Sequence, residues 1–219
     1  MFVGHLAAGL ALKARVREAP LGALLAGTAF LDIVHGFLGL TGAERVVIHD
    51  PPVFANWDLV EIGYSHSLVV SLLYSAVIGL LAARVWRSRA VGWVLGLAVF
   101  SHFILDVASH KADVPLVGLG LAHDHKLGTG LASYPLPFFL VELGWCLVAW
   151  YLYDPANRRL LAAFLVLMTF WANAVFGFFL PPPPPPVLQA FITIVSFAVA
   201  GWVLWWAAQP LAAGDDERR

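Results

Sequence analysis

Apolar runs of about 20 residues, broken by short polar or charged segments, recur along almost the whole chain. An α-helix rises about 1.5 Å per residue, so a run of that length crosses a hydrocarbon core of about 30 Å. The pattern predicts six spanning helices, at about 21–40, 64–83, 90–110, 135–153, 160–180 and 187–208. Residues 2–12 are equally apolar but would reach only about 16 Å, which predicts a half-membrane or re-entrant helix. Pro181 to Pro186 cannot donate backbone hydrogen bonds and predict a stiff polyproline connector of about 19 Å.

The charges between the runs orient them. Lys13, Arg15, Arg17, Arg84, Arg87, Arg89, Arg158, Arg159, Arg218 and Arg219 all fall on one side of the alternating spans, ten of the 13 Lys and Arg residues. Arg45, Lys111 and Lys126 are left for the other side. This asymmetry places the N-terminal basic segment and the C-terminus in the cytoplasm and the chain in an inner, plasma membrane. Trp86, Trp93, Trp150, Tyr151, Trp205 and Trp206 fall at the same boundary, where amphipathic rings are favoured. The long connections, 41–63 and 111–134, lie on the outer side. Residues 1–210 are expected to form a single transmembrane domain and 211–219 a charged cytoplasmic tail.

Composition narrows the class further. Hydrophobic residues make up 60% of the chain and charged ones 12%, against roughly half and a quarter in soluble domains. The fold class is therefore all-α, a polytopic helical bundle in the membrane. A net charge of −1 gives no reason to expect nucleic acid as a partner. The single cysteine, Cys146, excludes an intrachain disulfide and a thiolate metal site. The N-terminal positive charges follow the apolar stretch instead of preceding it, the wrong order for a secretory signal.

Ionisable residues inside the spans carry the candidate chemistry, because a charge at membrane depth is costly unless it meets a partner, a metal or water. In Ser101–His110, SHFILDVASH, residues His102, Asp106 and His110 recur every four positions and form one helical stripe. Asp32 and His35 share a face of the first span, His66 opens the second between Ser65 and Ser67, and His5 lies on the short N-terminal helix. Counting rises from the basic side lifts all of them toward the outer half of the bilayer. Imidazoles mixed with carboxylates suit zinc, or manganese or iron. Asp106 and Glu142, an isolated carboxylate in the fourth span, are the candidate acids or bases. His110 also fits a solvated helix end, and His123, Asp124 and His125 fit a solvated loop. The glycines of LGTGL, 127–131, form too short a segment for a phosphate loop.

GHLAAG at 4–9, FLDIVH at 30–35, YSHSL at 64–68 and SHFILD at 101–106 together resemble the LexA-regulated YdjM-type inner-membrane metal-dependent hydrolases. The resemblance covers roughly residues 1–115. It implies a metal site at His5, Asp32, His66, His102 and Asp106, with His35 as a further ligand; Val34 stands where that pattern has a second acid. The leading expectation is a membrane metal-dependent hydrolase acting on a lipid headgroup ester or phosphodiester or on a small molecule. A metal-ion or small-solute permease and a non-catalytic membrane scaffold are the alternatives.

Overall fold

The computed structural model describes residues 1–119, 124–179 and 181–210, so the expected tail at 211–219 lies outside the described residues. It contains eight α-helices among those residues: α1 (Val3–Arg15), α2 (Leu21–Thr28), α3 (Phe30–Thr41), α4 (Leu68–Val85), α5 (Arg89–Ser109), α6 (Pro135–Tyr153), α7 (Arg158–Phe176) and α8 (Pro186–Ala207). Five of them, α4 to α8, are long and apolar enough to cross a membrane. The all-α polytopic expectation holds.

One span differs from its expectation. Residues 21–40 are not one straight helix but α2 and α3, bent by 53° about Ala29. Thr28 turns its hydroxyl back onto the Leu25 carbonyl, 3.0 Å away, and the chain resumes helically at Phe30. The pair counts as a sixth span only if the bend is crossed as one. Asp32 sits in the first turn of α3, where a helix N-terminus favours an anion.

The helix ends follow local chemistry. Ser67, Ser88 and Asn157 cap α4, α5 and α7 by accepting from the N–H three residues on. Pro135 and Pro186 open α6 and α8 in the first turn, where a missing N–H costs nothing. Gly42, at φ 76°, ends α3 in the left-handed region.

α1 is 13 residues long, about 20 Å, and every residue from Val3 to Leu10 is buried. It packs against α2, α5 and α6 as a central post. α4 and α5 form the tightest antiparallel pair because small residues line both sides. A Cβ on Gly92 would lie 2.6 Å from the Ala83 Cβ and 2.7 Å from the Gly79 carbonyl oxygen. Around α1 the core gathers Leu6, Leu10, Phe138, Phe164 and Met168.

The two long connections contain small antiparallel pairs. β1 (Arg45–Ile48) pairs with β2 (Trp57–Glu61), Val46 opposite Leu59 and Ile48 opposite Trp57. β3 (Val114–Pro115) pairs with β4 (Lys126–Leu127). Both hairpins lie at the end of the bundle where α3 and α5 finish and α4, α6 and α8 begin. The basic turns after α1, between α4 and α5, and between α6 and α7 lie at the other end, where the Ser88 hydroxyl donates to Glu18 across 2.7 Å. Among the described residues, the charge asymmetry of the sequence thus becomes a real separation between two ends of the bundle.

Candidate metal centre

Four parts of the chain bring five polar side chains to one point beneath the β1–β2 hairpin. His102 and Asp106 lie one turn apart on α5, and seven residues, about 10 Å, separate His102 from the end of that helix. Asp32 comes from α3, just past the bend. His66 precedes the α4 cap residue Ser67, and His5 lies near the start of α1. Four of these residues are almost wholly buried, His5, His66, His102 and Asp106.

The separations between candidate donor atoms are narrow in range. His66 Nε2 lies 3.3 Å from His102 Nε2, 3.5 Å from Asp32 Oδ1 and 3.6 Å from Asp106 Oδ2. His102 Nε2 lies 3.3 Å from Asp32 Oδ2 and 3.2 Å from Asp106 Oδ2. A four-coordinate ion with ligands at about 2.0–2.1 Å requires ligand–ligand edges of about 3.3–3.4 Å. The five observed edges, two of which run to different oxygens of Asp32, bracket that value.

The outward-facing nitrogens explain why these atoms face one another. His102 Nδ1 lies 2.6 Å from the Thr28 carbonyl oxygen, which can only accept, so Nδ1 carries the proton. The bend at Ala29 frees that carbonyl for the bond. His66 Nδ1 lies 2.6 Å from Ser65 Oγ, and the serine hydroxyl donates to Glu44 Oε2, also 2.6 Å away. His66 Nδ1 therefore donates too. In the neutral rings both Nε2 atoms present lone pairs inward, beside two carboxylates. His66, His102 and Asp106 form one group that could hold a metal ion, and His5, Asp32 and His102 form a second that shares His102 with it.

Glu44 is the anchor of this outer layer, and sequence reasoning missed it. Its Oε1 accepts from the N–H groups of Tyr64 and Ser65, each at 2.8 Å, and its Oε2 accepts from Ser65 Oγ and from His35 Nδ1 at 2.8 Å. Burial alone would raise its pKa, but the bonds from His35 and Ser65 outweigh it and hold the carboxyl below its ordinary range. The serines flanking His66 were the only sequence signal for this layer. His35 is tied to Glu44, and its ring lies 5.8 Å from that of His66.

Asp106 divides its two oxygens. Oδ2 faces His66 and His102, whereas Oδ1 lies 3.1 Å from His5 Nε2 and 3.5 Å from His110 Nε2. The His5 ring stacks on His102 at 3.6 Å. It meets Asp106 off-axis, so both of its buried ring nitrogens lack a hydrogen-bond partner among the described residues. His110 joins the cluster through Asp106 instead of standing free as a solvated helix end. Its Nδ1 is 3.7 Å from Asp113 Oδ1, and burial pushes the Asp113 carboxyl up to about 6.

Glu142, expected as an acid or base, is placed elsewhere. Its Oε1 accepts from the N–H groups of Phe2 and Gly4 at 2.7 and 2.8 Å, and its Oε2 accepts from Trp171 Nε1 at 2.7 Å. It caps the otherwise uncapped start of α1 and does not line the cavity beside the cluster. Asp124 accepts from the Val117 and Gly118 N–H groups and closes its loop, His125 gives its carbonyl to the Leu116 N–H, and His123 lies outside the described residues.

A cavity of about 380 Å³ adjoins the cluster. Asp32, His35, His66, Asp106 and His110 form its polar end, while His5 and His102 stand behind that wall. No family model, curated protein or solved structure matches this chain.

Proposed function

We propose that the protein is an integral-membrane, metal-dependent hydrolase whose metal is held by His66, His102, Asp32 and Asp106, with His5 as a further donor. The carrying observation is the set of five donor separations of 3.2–3.6 Å among atoms that present lone pairs to one another. Three of the four ligands also face the cavity, which leaves one side of the site open to a substrate. The resemblance to YdjM-type membrane hydrolases supports the same reading. Zinc suits two imidazoles and two carboxylates, with manganese or iron as alternatives.

When bound, such an ion lowers the pKa of water toward about 7 and polarises an ester or phosphodiester. The chain's own residues do the rest. Glu44 and Ser65 fix His66, and the Thr28 carbonyl fixes His102, in the tautomers that ligate. Asp106, expected as ligand and base together, is engaged by imidazoles at both oxygens. The proton of the attacking water passes instead to His110, which lines the cavity beside it, as the water oxygen adds to the carbonyl carbon or phosphorus. The leaving alcohol then takes up that proton. With the basic end in the cytoplasm, the cluster lies just beneath the outer face of an inner membrane.

Metal analysis of detergent-purified protein tests the reading, wild type beside His102→Ala and Asp106→Ala. The expected result is about one equivalent of metal in the wild type and loss in both variants. Equal, near-zero metal in all three overturns it.

A further inference from the structure

The cavity beside the cluster runs sideways. Its far walls are α7 and α8, whose outer ends are joined by the proline connector and which pack against each other much less closely than α8 packs on α3. Phe170 on α7 and Ile192 on α8 both line the cavity, yet they are 76% and 42% exposed on the outer surface of the bundle. A residue that is at once wall and surface marks a mouth. Phe170 lies six residues before the end of α7 and Ile192 six residues after the start of α8. Both are thus about 9 Å below the helix ends, at one depth inside the spanning segments. The mouth opens on the flank that faces hydrocarbon.

The aqueous end is covered. Val46, Leu59 and Ile62 of the β1–β2 hairpin and its flank lie over the cavity. Phe54 packs beneath them against His110 and Trp171, with ring centroids at 5.3 and 5.1 Å. An apolar lid and a lateral mouth suit a ligand that arrives from the bilayer.

The lining sorts by chemistry along its length. Near the mouth it is Phe170, Ala174 and Ile192, and at the far end it is the cluster. Between them Gln189, Thr193 and Ser196 recur at i, i+4 and i+7 and turn one polar stripe of an otherwise apolar α8 into the cavity. No Lys or Arg lines it among the described residues. An acyl chain fits the first zone, a hydrogen-bonding glycerol or headgroup the stripe, and the bond to be cut the cluster.

From this we infer that the substrate is a membrane lipid that reaches the cluster sideways between α7 and α8, its acyl chain in the mouth and its ester or phosphodiester junction at the His/Asp end. The inference rests on the hydrolase reading for the cleavage, but not for the binding. Head recognition is by hydrogen bonds from α8, with no Lys or Arg side chain taking part.

The test uses the full chain in vesicles containing a phosphatidylcholine that bears a diazirine on one acyl chain. After illumination, adducts are expected at Phe170, Ala174 and Ile192 in excess over the equally apolar outer face of α4, where Leu80 is 70% exposed. Ala174→Trp, which fills the mouth, and Thr193→Trp, which blocks the stripe just inside it, should abolish that excess, while Leu80→Trp should leave it. Labelling spread evenly over all exposed faces overturns the inference, as does labelling of the mouth that Thr193→Trp and Ala174→Trp both leave unchanged. On metal-loaded protein the same two variants should lower lipid hydrolysis by about 100-fold, the cost of holding a substrate an ångström out of place. Hydrolysis of a soluble, chain-free ester or phosphodiester should persist. Absence of metal or of any hydrolysis sinks the hydrolase reading and leaves the labelling result to stand or fall separately.

Discussion

Replacing Ser65 by Ala isolates the outer layer of the site from the ligands themselves. The substitution removes one oxygen, which lies 2.6 Å from both His66 Nδ1 and Glu44 Oε2, and leaves every proposed ligand in place. His66 Nδ1 then keeps a buried proton with no acceptor, or moves it to Nε2 and loses the inward lone pair. Either outcome weakens ligation, and removal of such outer partners costs about 10–100-fold in metal affinity, which is about 1.4–2.8 kcal/mol. Glu44→Gln should cost a comparable amount, because an amide offers His35 and Ser65 donors where they need acceptors. The two changes cut one chain of bonds, so the double variant should lose little more than the worse single one. Competition with a chelator of known affinity, on detergent-purified protein, measures all three. Affinity within twofold of wild type for Ser65→Ala would falsify the tautomer argument, and additive losses would break the proposed Glu44–Ser65–His66 chain.

Glu142→Gln should leave metal content unchanged but lower thermal stability by about 1–3 kcal/mol, since one amide cannot accept from the Phe2 and Gly4 N–H groups and also from the Trp171 N–H. A loss of metal in that variant would return Glu142 to the site. Gly92→Leu should separate α4 from α5, because even a Cβ there meets Ala83 at 2.6 Å; overpacking of about 1–3 kcal/mol or more should appear as a lower melting temperature in detergent. Asp113 has a folded pKa of about 6 against an ordinary 3.8, so the folded protein retains a proton that the unfolded chain releases. Its contribution to stability is greatest below about 4 and declines as pH rises to about 6. The stability of Asp113→Asn, followed by melting across that window, should lack this slope where the wild type shows it, and parallel pH dependences of the two would refute it.

The spans were legible because each is a long apolar run between charged turns, and the metal candidates were legible because a histidine or aspartate in such a run has few innocent explanations. The bend at Ala29 was not, because neither a glycine nor a proline occupies that position. What stabilises it is the Thr28 carbonyl given to His102, 74 residues away. Glu44 was hidden in the same way: it sits in an ordinary-looking loop and becomes central only when α3 ends at Gly42 and the chain turns toward Ser65. Glu142 shows the converse. An isolated carboxylate in a membrane span reads as functional, but its partners are the free N–H groups of α1, up to 140 residues distant, which no local pattern reveals. His110 was read with its own helix end, whereas its partner Asp106 draws it to the cluster.

The direction of the hydrogen bonds favours the proposed enzyme over the two alternatives. A cluster whose task was to hold helices together would set donors against acceptors at its centre. Here the donors His66 Nδ1 and His102 Nδ1 point outward to Ser65 and Thr28, so the neutral rings turn acceptors toward the carboxylates, a set that could hold a cation. A permease would use such a set too, but it needs a polar route onward to the basic end. One to three turns below His102 on α5, Ala98, Leu95, Val94 and Val91 are buried in one apolar cluster with Leu24 and Ala19, and this apolar floor lies across that route. Among the described residues, the cluster opens toward the cavity through Asp32, His66 and Asp106. A cation bound there would have one open side, toward the cavity, which favours the proposed catalyst over a permease.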